Sequence, residues 1–294
     1  MRPHSDFVRI RGLRYHVRRW GDPQLPPLWL LHGWLDVSAT WHPVAVPLTQ
    51  RFHVLAPDWR GFGASEWPQD GYWFQDYVAD FEALADHCSS QAPLTVVGHS
   101  MGGQIASLYA GLRPARVSQL VLLDSLFLPD MEDALVLKRF RRWLDQLKDP
   151  PRDKTYDSFD ELAARIRKQH PALDPGRARF IAECWGRADG HGRIGLCADP
   201  KHRLDGPGLF HVAESMAIWR EVTARTLFLD GANSPFLKAI GAEELARRRA
   251  CFRDRTEGRV ENAAHMLHFD APEATARAIL DFLAAPAVPK ERSA

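Results

Sequence analysis

Leu94-Thr95-Val96-Val97-Gly98-His99-Ser100-Met101-Gly102-Gly103 decides how this chain is read. Leu94 to Val97 is a short run that is apolar on both faces, as in a strand buried under helices on both sides. Ile105, Leu108, Tyr109 and Leu112 then recur at helical spacing. The five residues between, Gly98 to Gly102, follow the pattern G-x-S-x-G at a strand-to-helix junction, the context that gives the pattern chemical meaning. A serine on so sharp a turn is held in a strained backbone conformation. Flanking glycines leave room for the strand and the helix to approach. Ser100 is therefore the candidate nucleophile.

Working outward, the same rhythm repeats. Leu28 to Leu31 ends at His32-Gly33, and Phe52 to Ala56 ends at Pro57-Asp58. Leu120 to Leu123 ends at Asp124, and Thr226 to Leu229 ends at Asp230-Gly231. Residues Phe7 to Gly21 read as two short strands around Arg11-Gly12. Tyr77, Phe81, Leu84 and Ala85 mark one further helix, and Ala274, Ala278, Ile279 and Phe282 another. Strands alternating with helices predict a mostly parallel sheet covered on both faces. From Ser125 to Trp219 the rhythm breaks into short helices, clearest over Phe159 to Ile166 and Ala178 to Trp185. The expected organisation is a core of residues 1–124 and 220–294 carrying a helical cap of residues 125–219.

Serine is a weak nucleophile and needs a base. His265, in a loop just before the helix that starts near Pro272, is the candidate, with His268 as its rival. The base needs a carboxylate to orient it. The loop after the strand ending at Asp230 reads Gly231-Ala232-Asn233-Ser234-Pro235 and has Ser234 where an acid is expected. Asp124, at the preceding strand end, is the preferred acid, with Asp230 second. Backbone N–H groups must receive the developing oxyanion. Those of Trp34 and Met101 are the candidates. Gly190-His191-Gly192-Arg193-Ile194-Gly195 matches a dinucleotide-binding pattern but lacks the strand before it, so it reads as a turn in the cap.

Composition narrows the classes. The chain has 294 residues, 45 % of them apolar, enough for a sizeable core. Its 38 basic and 37 acidic residues give no broad field for nucleic acid or an anionic membrane. Arg139, Arg141 and Arg142, like Arg247 to Arg249, read as solvated helix faces. Cys88, Cys184, Cys197 and Cys251 are dispersed, as reduced thiols are. Met1 to Asp6 lacks the apolar stretch of a secretory signal, and a cytoplasmic location is expected. Histidines without ligand spacing leave no expectation of a metal, and no cofactor is expected. The expected partner is a small-molecule acyl substrate, with no nucleic acid and no membrane, in a monomer or homodimer.

With these residues in place, the chain resembles the α/β-hydrolase superfamily. Leu31-His32-Gly33-Trp34, Asp58-Trp59-Arg60-Gly61-Phe62-Gly63, Gly98 to Gly103 and His265 stand in its characteristic order. Within it the chain is most similar to bacterial serine-hydrolase-like proteins, on Asp199 to Arg203, Trp219-Arg220, Thr223-Ala224 and Gly231 to Phe236. The resemblance implies an α/β-hydrolase fold and an esterase-like serine hydrolase without a cofactor. Cofactor-free quinolone dioxygenases are also resembled, at His32-Gly33-Trp34, Asp124 and Cys184-Trp185-Gly186. In that alternative His265 and Asp124 would deprotonate a hydroxylated substrate. A non-catalytic binding protein on the same fold is the third alternative. Leu126, Phe127, Phe140, Trp143, Phe180 and Trp185 are the apolar residues expected to offer an acyl pocket.

Overall fold

A computed structural model describes residues 1–89, 93–152 and 154–285. Its central sheet is formed by β1 (His4–Ile10), β2 (Leu13–Trp20), β3 (Pro27–Leu31), β4 (His53–Pro57), β5 (Leu94–His99) and β6 (Val117–Leu123). A two-stranded ribbon, β7 (Gly186–Ala188) and β8 (Ile194–Leu196), lies apart from it. The sheet is completed by β9 (Arg225–Gly231) and β10 (Arg255–Val260). The order across the sheet is β1-β2-β4-β3-β5-β6-β9-β10. β2 runs antiparallel to β1 and β4, and the other neighbours are parallel.

The apolar runs became strands because both of their faces are covered. In β3, Trp29 and Leu31 join a core layer with Phe81, Leu84 and Tyr109, from the helices Phe74–Cys88 and Met101–Leu112. Leu28 and Leu30 point the other way, into a layer with Val44, Leu48 and Ile279 from the helices His42–Leu48 and Pro272–Ala284. Alternation with period two, apolar in both directions, is what produces an unbroken hydrophobic run. β10, with the sequence Arg-Thr-Glu-Gly-Arg-Val, carries no such run. It is the sheet edge, and its side chains are largely exposed.

Among the described residues no strand of this sheet lies between Leu123 and Arg225. That interval holds the helices Val136–Lys148, Phe159–Gln169, Pro175–Trp185 and Val212–Trp219 and the β7–β8 ribbon. Ser158 caps the second helix by accepting from Glu161 N–H, and Asp174 caps the third by accepting from Arg177 N–H. Leu162, Ile166, Ala178 and Ile181 pack with Met266 and Phe269, so this layer rests directly on the loop that follows β10. The Gly190 to Gly195 stretch is the ribbon turn. Gly192 has φ of +78°, and the Asp189 carboxylate accepts from the N–H groups of His191 and Arg193. Among the described residues no helix is long and apolar enough to cross a membrane.

The insertion is also fastened to the core at His202. Its ring stacks on Phe62 with centroids 3.8 Å apart and lies 3.6 Å from the Tyr72 ring, while Tyr72 Oη donates to Asp199. Burial holds this imidazole down at about 3. A histidine lowered in the folded state binds its proton mainly when unfolded. Its contribution is therefore complete above the ordinary value near ~6.5 and is lost as pH falls toward the folded value. Buried His32 and His99, also lowered, act with the same sign. Stability should fall between about pH 6.5 and 3. His202→Phe, which keeps the stack, should reduce proton uptake on unfolding near pH 5 by about one. Denaturant unfolding across pH measures this, and an unchanged slope would contradict it.

Candidate active site

Backbone strain gathers at one edge of the sheet. Of the six described non-glycine residues with positive φ, Arg11 sits in the β1–β2 turn, while Leu35 follows β3, Ser100 follows β5, Asp124 and Leu126 follow β6, and Asn262 follows β10. The five other than Arg11 lie just beyond the carboxyl ends of parallel strands, where open α/β sheets bind their ligands. Ser100 has φ 53° and ψ −116° and stands at the N-terminus of the helix Met101–Leu112. The glycines make that turn possible. A Cβ on Gly98 would strike the Gly102 carbonyl, and one on Gly102 would strike the Leu31 carbonyl. A Cβ on Gly33 would lie 2.9 Å from His99 Nδ1 and 3.2 Å from Ser100 Cβ, so the His32-Gly33-Trp34 loop closes against the turn only with glycine.

His265 Nδ1 lies 2.8 Å from Asp124 Oδ1. A carboxylate only accepts, so this contact puts the proton on Nδ1 and leaves Nε2 free to take another. Asp124 is fully buried and also accepts from Ser234 Oγ at 2.8 Å and from the Gly231 N–H at 3.2 Å. Ser234 thus occupies the strand end where an acid was expected and donates instead to the acid on the neighbouring strand. Asp230 does not share that place. Both its oxygens lie 2.7 Å from Arg249 Nη2, which committed it to an ion pair away from His265.

The elbow and the histidine loop are tied together through the residue before the serine. His99 Nε2 lies 2.8 Å from the His265 carbonyl, so it donates there, and the two rings are 4.6 Å apart. Ser100 Oγ makes no hydrogen bond among the described residues. Such catalytic contacts are often long without substrate and tighten in the complex. His268, the rival base, is fully buried. Its Nε2 lies 3.0 Å from Asp36, and its ring stacks on Trp41. Burial opposes the charge on Asp36, but the hydrogen bonds from His268 and Trp185 Nε1 outweigh it and hold the carboxyl below its ordinary range. Asp36 therefore joins the Trp34 loop, the histidine loop and the insertion at one buried point.

The amides expected to face an oxyanion are free. Neither the Trp34 nor the Met101 N–H donates to an acceptor among the described residues. His32 fixes the first of them. Its Nε2 accepts from the Trp59 N–H at 3.0 Å, so its Nδ1 carries the proton and donates to the Gly33 carbonyl at 2.7 Å. The Gly33 carbonyl and the Trp34 N–H belong to one planar peptide and point in opposite directions. Holding the carbonyl on His32 therefore aims the N–H away from the core. Met101 N–H is the first donor of its helix, where the dipole favours negative charge.

Of the expected pocket residues, Phe127 reaches His265, edge-on at 5.2 Å, and stacks on Phe236. Phe236, missed as a site residue in the sequence, stands in the first turn of the short helix Pro235–Ile240 and lies 4.5 Å from the His265 ring. Leu126 belongs to the main core, and Phe180 and Trp185 pack in the insertion's own core. Phe140 and Trp143 sit on the outer helix Val136–Lys148.

Comparison with known proteins adds to this geometry. The family model of the α/β-hydrolase fold matches residues 26–272. A serine hydrolase-like protein of Danio rerio is 26 % identical over 276 residues, covering 90 % of this chain and 83 % of that protein. The 2-(acetamidomethylene)succinate hydrolase of Mesorhizobium japonicum is 26 % identical over 281 residues, covering 95 % of each. Among solved structures, a thioesterase domain from the curacin biosynthetic pathway superposes with a TM-score of 0.85 at 24 % identity, covering 95 % of this chain and all of that one.

Proposed function

The chain belongs to the α/β-hydrolase family, and from that premise we propose that it is a serine hydrolase cleaving a small ester or related acyl substrate through an acyl-enzyme. The observation that carries this reading is the 2.8 Å contact between His265 Nδ1 and Asp124, beside a serine held at positive φ. His265 Nε2 takes the proton of Ser100 Oγ as that oxygen attacks the acyl carbon. The carbonyl oxygen becomes an oxyanion received by the N–H groups of Trp34 and Met101. As the tetrahedral centre collapses, the proton on Nε2 passes to the leaving alcohol, and the acyl group stays on Ser100. Water then gives its proton to Nε2 and adds to the acyl carbon, and Ser100 leaves with that proton. Phe127 and Phe236 beside His265 favour an apolar acyl or alcohol group near the reacting bond. The thioesterase and succinate-derivative hydrolase among the relatives support acyl chemistry of this kind.

A panel of chromogenic esters of graded size, run beside oxygen uptake with a hydroxyquinolone, tests the reading. Hydrolysis of small esters and no oxygen uptake are expected. Oxygen uptake that survives Ser100→Ala would transfer the chemistry to His265 and Asp124 acting on a hydroxylated substrate.

A further inference from the structure

Arg248 is expected on a solvated helix face but is only 2 % exposed. It stands near the end of the helix Ala242–Arg249. Its Nε donates at 2.7 Å to Glu244, one turn earlier. Glu244 is gripped in turn by Arg247, through Nε at 2.6 Å and Nη2 at 2.7 Å. The guanidinium is planar, so fixing Nε also aims its other nitrogens. Nη1 donates to two main-chain carbonyls far away in the sequence, Leu126 at 2.8 Å and Leu128 at 2.7 Å.

Those two carbonyls flank Phe127. Leu126 has φ of +64°, a conformation that persists only where the surroundings over-determine it. Here its side chain is buried in the main core, and its carbonyl is held by Arg248. That carbonyl and the Phe127 N–H belong to one planar peptide. Holding the carbonyl therefore fixes the direction in which the Phe127 side chain leaves the backbone. Phe127 is half-buried, and its ring stacks on Phe236 with centroids 4.7 Å apart. The helix bearing Phe236 has its own anchor: Ser234 accepts from its Leu237 N–H and donates to Asp124. Arg248 is the matching anchor for Phe127.

The place of this aromatic pair decides which half of an ester it meets. Both rings lie against the His265 imidazole, whose Nδ1 is turned to the buried Asp124. In acyl transfer the leaving oxygen must come to Nε2 to receive its proton. Rings packed around the imidazole therefore border the leaving alcohol. We propose that Phe127 and Phe236 form the subsite for an apolar alcohol group, and that Arg248 is the positioning residue that keeps Phe127 in it. The inference rests on the hydrolase reading and adds to it the half of the substrate that the aromatic pair selects. Selection acts during acylation, while the alcohol is present. Hydrolysis of the acyl-enzyme, after the alcohol has gone, does not depend on Arg248.

Two ester series test this. One keeps the acetyl group and enlarges the alcohol from ethyl to benzyl. The other keeps the ethyl group and enlarges the acyl chain. In the wild type, kcat/KM should rise at least about tenfold from ethyl to benzyl acetate. Phe127→Ala should abolish that rise. Arg248→Met, which keeps the buried stem without a donor, should reduce it to within about threefold and leave the acyl series nearly parallel to wild type. Arg248→Lys keeps the charge but cannot make all three hydrogen bonds, so it should lose part of the rise even where Arg248→Met does not fold by circular dichroism. Deacylation after a p-nitrophenyl acetate burst should keep its wild-type rate in the folded Arg248 variants. A merely structural role would lower both series together, and that result would overturn the proposal. A wild type that hydrolyses these esters without regard to the alcohol would also overturn it, leaving the hydrolase reading intact. A folded wild type that hydrolyses neither series would overturn both.

Discussion

Ser100→Ala is expected to lower kcat for the best ester by about six orders of magnitude, with little change in stability or KM. The size follows from the group removed. Without Oγ there is no acyl-enzyme, and the remaining donors can only assist direct attack by water, a residual worth about 10³ to 10⁴ over the uncatalysed reaction. The fold should tolerate the change because Ser100 Oγ makes no hydrogen bond among the described residues. Strain at this position is set by the backbone and by the packing of Gly98 and Gly102, which alanine leaves untouched. Steady-state kinetics together with a melting curve measures both parts. A variant that keeps a tenth of the activity would remove Ser100 from the chemistry.

The second large effect separates two carboxylates. Asp124→Asn should lower kcat by about four orders of magnitude, because an amide in place of the carboxylate neither holds the Nδ1–H tautomer of His265 nor stabilises the imidazolium. Asp230→Asn should leave kcat near wild type. Its effect falls on stability, since Arg249 loses the buried carboxylate it grips with two 2.7 Å contacts while keeping Glu257 at 2.8 Å, a loss on the order of 2 kcal/mol. Kinetics and denaturant unfolding on the two variants separate these outcomes. Equal loss of kcat in both would mean that the acid role is shared across the two strand ends. Ser234 and the Gly231 N–H explain why Asp124 can serve from β6. Together with His265 they give both its oxygens donors, so the buried charge is not left unpaired.

The parts of the fold legible in the sequence are those in which one physical rule acts alone. β3, β5 and β6 are buried on both faces and read as apolar runs, and Gly98 to Gly102 reads as a strained turn because only that packing demands glycines there. β10 was not legible, since an exposed edge strand such as Arg255–Val260 has no apolar side to reveal it. The acid could be narrowed to Asp124 or Asp230, but both follow buried strands. Only the direction of the side chains, set by Arg249 on one side and Ser234 on the other, separates them. His32 was seen as part of a motif, and its grip on the Gly33 carbonyl depends on Trp59, 27 residues away. The arginines at 139, 141 and 142 and at 247 to 249 were expected on solvated helix faces. Arg139 instead turns inward onto the Gly206 carbonyl, Arg142 pairs with Asp205, and Arg248 and Arg249 are buried in ion pairs with Glu244 and Asp230, because composition cannot tell which side of a helix faces the protein.

A serine activated by its surroundings, as proposed for Ser100, reacts with electrophiles that leave ordinary hydroxyls untouched. Reaction with a fluorophosphonate, followed by intact mass and peptide mapping, tests that activation most directly. A single adduct is expected on the peptide containing Gly98 to Gly102, carried by Ser100. The adduct should be abolished in Ser100→Ala and slowed by orders of magnitude in His265→Ala. A folded wild-type protein that stays unlabelled, or labels at the same rate without His265, would contradict it.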